Sequence, residues 1–134
     1  MYDDPNTLFV AGFIGSPAMN FLGGERRGDA VAVGGMEVPL PPELRAKAPA
    51  KITVGVRPEH LVAGEAAAPV FRFHVDTLEA LGADSLVHGL LGDQPLVARV
   101  EGHMRPAMGD ALAFTARASK LYFFDTATGQ RLRG

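Results

Sequence analysis

At 134 residues the chain is long enough for one ordinary domain and an appendage, and 47% hydrophobic against 21% charged residues places it among globular sequences. Its 13 basic and 15 acidic side chains leave a formal charge of -2, which excludes a global attraction for nucleic acid or anionic lipid. The absence of cysteine excludes disulfides, thiolate nucleophiles and thiolate zinc sites.

In chain order, Asp4 is placed to cap a short helix with Pro5 at its first position, and Gly15-Ser16-Pro17 supplies the stop. Leu8, Phe9, Val10, Phe13 and Ile14 give this helix one broad apolar face, and about three turns are too few for stability alone in water. It must pack on something, and the grammar is that of a domain junction. No basic and apolar secretory signal opens the chain, and no run reaches the length of a membrane span, so a cytoplasmic protein is expected.

Asn20 to Glu25 reads as a short strand, and Ala30 to Val33, Gly34-Gly35 and Met36 to Leu40 as a tight hairpin whose glycines supply the positive φ of a two-residue turn. Gly23-Gly24 reads as a strand end. Pro39, Pro41 and Pro42 interrupt pairing, and residues 43 to 51 read as an exposed connector or an irregular edge. Lys51 to Arg57 alternates as a strand that Pro58 stops, with Pro58 to Leu61 making one turn that returns Leu61 to the core. A polar linker with Gly64 and three alanines follows.

Phe71 to Leu78 is the clearest strand, its period of two placing Phe71, Phe73, Val75 and Thr77 on one face. Leu81 to Asp84 breaks the run before Ser85 to Leu91, and Gly92-Asp93-Gln94 turns the chain into Pro95 to Val100, a second hairpin. Pro106 and Gly109-Asp110 mark a corner before strands at Ala111 to Ala116 and Leu121 to Phe124. Short strands punctuated this often by Gly and Pro imply an all-β small barrel or sandwich.

Motifs of catalysis are missing from the sequence. No lysine follows a glycine, so there is no phosphate loop, and no serine lies in a nucleophile-elbow context. His60, His74, His88 and His103 fall in different segments and never at the spacing of a helix-borne metal pair, so no metal site is assigned and His74 is expected on the wet face of its strand. Phe71, Phe73, Phe123 and Phe124 suit a core better than a base-stacking platform, which also needs a basic surround, so nucleic acid is not an expected partner. Arg57-Pro58-Glu59-His60 is the densest polar cluster, at a strand end where Gly55 permits close approach; it either ties the turn to its neighbours or presents Arg57, Glu59 and His60 to a ligand or partner.

The residues themselves then carry a resemblance. Asp4 to Leu22, with Phe13, Gly15, Ser16, Pro17, Asn20 and Phe21, resembles the segment that leaves the nucleotide-binding domain in ATP-binding subunits of bacterial sugar ABC importers of the maltose and glycerol-3-phosphate type. Gly55-Val56-Arg57-Pro58-Glu59-His60-Leu61 resembles the signature of their C-terminal regulatory domain, and Glu79 to Asp84, Gly109-Asp110 and Leu121 to Asp125 follow in the family's order. The resemblance implies an oligosaccharide-binding (OB)-like, transport-associated, MOP-like barrel at residues 21–134, preceded by a helix and crossover at 1–20 that end a nucleotide-binding domain. It further implies that ATP and Mg belong to that upstream domain, that this stretch holds no catalytic residue or cofactor of its own, and that the whole is peripheral on the inner face of the cell membrane. Implied partners are the subunit's own nucleotide-binding domain, a second ATPase subunit, the transmembrane permease subunits, and a regulatory protein or metabolite. Arg57, Glu59 and His60 are the residues it nominates for a regulatory or interdomain contact. A small sugar- or oxyanion-binding module is the alternative.

Overall fold

The computed structural model describes residues 19–64, 70–101 and 106–132, so the expected helix at residues 4 to 14 lies outside the described residues. Within these bounds the chain forms β1 (Asn20–Arg27), β2 (Ala30–Val33), β3 (Met36–Pro39), β4 (Lys51–Val56), β5 (Val62–Ala63), β6 (Val70–Ala80), β7 (Asp84–Leu91), β8 (Gln94–Glu101), β9 (Ala111–Thr115) and β10 (Leu121–Asp125). Single 3₁₀ turns at Pro42–Leu44, Pro58–His60 and Ala118–Lys120 are the helical elements among the described residues.

The strands make two antiparallel five-stranded sheets, ordered β10-β4-β1-β2-β3 and β5-β9-β6-β7-β8. The two hairpins expected around Gly34-Gly35 and Gly92-Asp93 both form, with Val33 opposite Met36 and Leu91 opposite Gln94. One continuous core lies between the sheets, in which Ile52, Val54 and Val56 of β4 meet Phe71 and Phe73 of β6, Leu96 and Ala98 of β8, and Phe114 of β9. The Phe73 and Phe114 rings stand 5.5 Å apart at 41°. Each such side chain contributes roughly 1.5 to 3 kcal/mol by leaving water, so the apolar term is spread over the aliphatic and aromatic residues of both sheets. A second, smaller cluster of Met19, Tyr122 and Phe124, with Phe21 against it, covers the other face of the first sheet.

Four local expectations are corrected by tertiary structure. Phe71, Phe73 and Val75 face inward as their alternation requires, but Thr77 is exposed. The β6–β7 register shifts between Val75 and Thr77, leaving Asp76 as an extra residue that reverses the parity of everything after it, so Leu78 rather than Thr77 packs on the core. Gly23-Gly24 is not a strand end: both lie in the middle of β1, and a Cβ at Gly24 would stand 2.6 Å from the Ala32 carbonyl oxygen and 2.7 Å from Val33 Cγ2. The 43–51 connector is not simply exposed, because Leu44 is buried and a 3₁₀ turn carries it inward. The linker after Leu61 begins as a strand, Val62 and Ala63 pairing with Thr115 and Phe114.

The free edge of β10 is covered by the chain that follows it. Asp125 N–H donates to the Gln130 carbonyl at 2.8 Å, and Leu132 N–H donates to the Phe123 carbonyl at 2.7 Å. The close passage of β2 over Gly24 makes a specific claim on stability. Gly24→Ala is expected to cost about 1–3 kcal/mol through overpacking against backbone and two valines, read as a lowered urea midpoint with unchanged slope.

Candidate functional site

The site is built where β4 ends. β4 is paired on both edges, to β1 with Asn20 opposite Val56 and to β10 with Leu121 opposite Val56. Pro58 has no N–H to continue a ladder, so the chain leaves the sheet and makes a 3₁₀ turn in which His60 N–H donates to the Arg57 carbonyl at 3.0 Å and Leu61 N–H to the Pro58 carbonyl at 3.3 Å. The turn packs against β8 and returns Leu61 to the core at 3% exposure, as its spacing predicts.

The three polar residues nominated from the sequence are placed very differently by this turn. Arg57 is 3% exposed, the one charged residue in the buried set among the described residues; Glu59 is exposed and His60 half-buried. A guanidinium with so little access to water is part of the turn's architecture, whereas Glu59 is what the turn offers to solvent. Behind them, Gly55 leaves room for side chains rather than for backbone: a Cβ there would meet Met19 Sδ at 2.7 Å and Phe124 at 3.0 Å.

Of the junction residues, Phe13, Gly15, Ser16 and Pro17 lie outside the described residues, while Asn20 and Phe21 are both anchors. The Phe21 ring meets Phe124 edge-on, with centroids 6.1 Å apart at 84°. Asn20 is 7% exposed and reaches across to β8, donating from Nδ2 to the Val97 carbonyl and accepting at Oδ1 from Val97 N–H, both at 2.8 Å. So the residue that opens β1 ties the first sheet to the last strand of the second.

Two residues that sequence reasoning missed do comparable work. Gln94, the first residue of β8, accepts from Gly23 N–H and donates to the Gly23 carbonyl, both at 2.8 Å. Arg26 ties down the 45–48 loop: Nε donates to the Gly28 carbonyl and Nη1 to the Ala48 carbonyl, each at 2.8 Å, and Nη2 to the Arg45 carbonyl. A glutamine at the start of a strand and an arginine alternating outward on another carry no local signal of these roles.

The remaining polar chemistry is dispersed. His74 is exposed, as expected, and His88 pairs with Glu79 at 3.1 Å, while Arg99 Nε donates to Asp84 at 2.9 Å on a neighbouring part of the second sheet. Among the described residues no group of three or more His, Asp or Glu stands close enough to hold a metal ion. The rings of Phe71, Phe73, Phe123 and Phe124 are all buried, so none of them offers a face to a nucleic-acid base. A surface groove runs between the 39–45 segment and the 118–123 segment, as adjoining cavities of about 290 and 440 Å³. Pro41, Glu43, Ser119, Tyr122 and Arg131 line its first part, with the Arg131 guanidinium 4.6 Å from the Tyr122 ring centre. Arg57, Glu59 and His60 line neither cavity.

Comparison with known proteins gives this geometry a context. Residues 54–124 match the TOBE domain and residues 15–61 the MalK OB fold domain. The sn-glycerol-3-phosphate import ATP-binding proteins UgpC of Shigella boydii serotype 4 and of Salmonella typhi are each 44% identical over 98% of this chain, and that of Escherichia coli K12 is 43% identical over the same share. The chain spans 38% of the length of each of these relatives. Among solved structures, the cytoplasmic molybdate-binding protein ModG, in a form with molybdate bound, superposes with a TM-score of 0.58 at 16% identity, covering 78% of this chain and 94% of that one. This last likeness is one of fold.

The division of labour within the turn is directly measurable. Leu61→Ala is expected to lose about 2–5 kcal/mol of stability by emptying a core position, while Glu59→Ala stays within about 0.5 kcal/mol of the parent in urea titrations.

Proposed function

Because the chain belongs to the TOBE domain family, we propose that it is the non-catalytic regulatory and dimerisation region of an ATP-hydrolysing subunit of an ABC importer of the glycerol-3-phosphate and maltose type. The observation that carries this reading is the 44% identity over 98% of the chain to import ATP-binding proteins, two family segments meeting in one fold. On this reading residues 21–134 are the regulatory barrel and residues 1–20 the end of a nucleotide-binding domain, to which ATP and Mg belong. The longer subunit works on the inner face of the membrane with a second copy of itself and with permease subunits, and nucleic acid is no partner. Among the described residues no helix is long and apolar enough to cross a membrane, which suits a peripheral role.

The turn at Arg57 to Leu61 supports a contact role better than a chemical one. Arg57 and Leu61 hold the turn from within, and Glu59 with half-buried His60 is left to meet an adjoining domain or a regulatory protein. Such a surface restrains or aligns a neighbour; it does not activate water.

A second reading, a small sugar- or oxyanion-binding module, is favoured by the groove lined by Ser119, Tyr122 and Arg131 and by a fold shared with a molybdate-binding protein. A guanidinium and a hydroxyl at the wall of a concave site are suitable groups for an anion. Chemical-shift titration with molybdate, maltose and glycerol-3-phosphate separates the readings: saturable shifts at Ser119 and Tyr122 establish the binding module, and their absence up to millimolar ligand removes it.

For the leading reading, the pure chain is expected to turn over no ATP. In the reconstituted importer, shortening the ATPase subunit after Asn20 is expected to preserve coupled ATP hydrolysis and uptake while altering inhibition. Loss of both activities with a folded ATPase domain would assign the region to assembly instead. ATP turnover by the pure chain, abolished by a substitution within it, would overturn the proposal.

A further inference from the structure

Among the described residues the two sheets share no backbone ladder, yet they are in register. Moving three residues forward along β1, from Asn20 to Gly23, moves three residues back along β8, from Val97 to Gln94. The first half of β1 therefore lies antiparallel to β8, at the separation of a side chain rather than of a peptide group. β2 pairs with β1 only from Glu25 to Arg27, so this stretch of the β1 edge is left to β8. A primary amide carries the same donor and acceptor as a peptide, and each of these two makes both bonds to one opposing residue, the pattern of a hydrogen-bonded antiparallel pair.

We propose that Asn20 and Gln94 form a reciprocal amide latch that fixes the orientation of the second sheet relative to the strand through which the chain arrives. The reciprocity matters, because one amide comes from each strand. A slip of one residue turns the backbone groups of both partners to the opposite edge and breaks all four bonds together. Asn20 is nearly buried, where a half-broken pair leaves polar groups without water, while Gln94 is half-buried at the turn and closes the outer end. The Gly34 and Gly92 turns touch beside it, a Cβ at Gly92 standing 3.3 Å from the Gly34 Cα, so the latch closes at the meeting point of two hairpins. Met19 and Phe21, flanking Asn20, are held on the opposite face by Tyr122 and Phe124, so the arriving strand is gripped by both layers.

Hydrogen exchange and residual dipolar couplings on the chain test this with Gln94→Ala, Asn20→Ala and the double variant. Gln94→Ala removes one clamp at the start of β8 without opening the core, so it serves even if the Asn20 variants fail to fold. Exchange at the Gly23 amide is expected to quicken roughly tenfold in Gln94→Ala, with the Leu22 and Gly24 amides unchanged. Asn20→Ala is expected to do the same at Val97. One alignment tensor is expected to fit both sheets in the parent, with the joint fit degrading in Gln94→Ala and degrading further in the double variant. Parental exchange at Gly23 in Gln94→Ala, or a joint fit as good as the parent's in every folded variant, would overturn the latch.

Discussion

β4 is a strand with almost no wet side, and that constraint organises the rest. From Ile52 to Val56 every residue is buried, with Ile52, Val54 and Val56 in the main core and Gly55 under Met19 and Phe124 on the other face. A strand covered on both faces must also have both edges paired, or its peptide groups are buried without partners. β1 meets that demand along the whole of β4 and β10 along its buried stretch from Ile52 to Val56. Pro58 then ends the ladder cleanly, since a residue without an N–H leaves no donor stranded where the pairing stops. The candidate site is thus a consequence of how a central strand finishes.

This explains why the turn presents so little of what it contains. Arg57 follows directly from the buried strand and shares its burial, and Pro58 is buried after it. Only at Glu59 has the chain turned far enough to meet solvent. Leu61 then draws it back, so the exposed part is one or two residues held at both ends by the core. A short rigid presentation of this kind suits a fixed contact between domains, where ordering a floppy loop would cost conformational entropy at every encounter.

Features whose cause lies within a few residues were legible in the sequence. Gly34-Gly35 and Gly92-Asp93 announce their hairpins, Pro58 its strand end, and the alternation of Phe71, Phe73 and Val75 its inward face. The family was legible from the junction and from Gly55 to Leu61. What escaped depends on a partner strand. The bulge at Asp76 leaves no mark in β6 itself; it arises in the pairing with Gly89 and His88 of β7. Gly24 looks like a terminus until β2 is laid against it, and Arg26 looks like a solvated cation until three carbonyls of the neighbouring loops surround it. Leu44 sat in a run of prolines and charges with no period to place it.

The seam between the sheets shows the same dependence at a larger scale. β1 begins to pair with β2 at Glu25, and strand twist carries neighbouring strands apart with distance from their point of pairing. A further full ladder from β1 to β8 would merge the layers into one sheet and remove the space in which Phe71, Phe73 and Phe114 pack. Side-chain amides resolve that conflict, since they supply the donors and acceptors of a ladder while holding the strands a side chain apart. The fold thereby keeps two layers around a filled core and still gives them a fixed register.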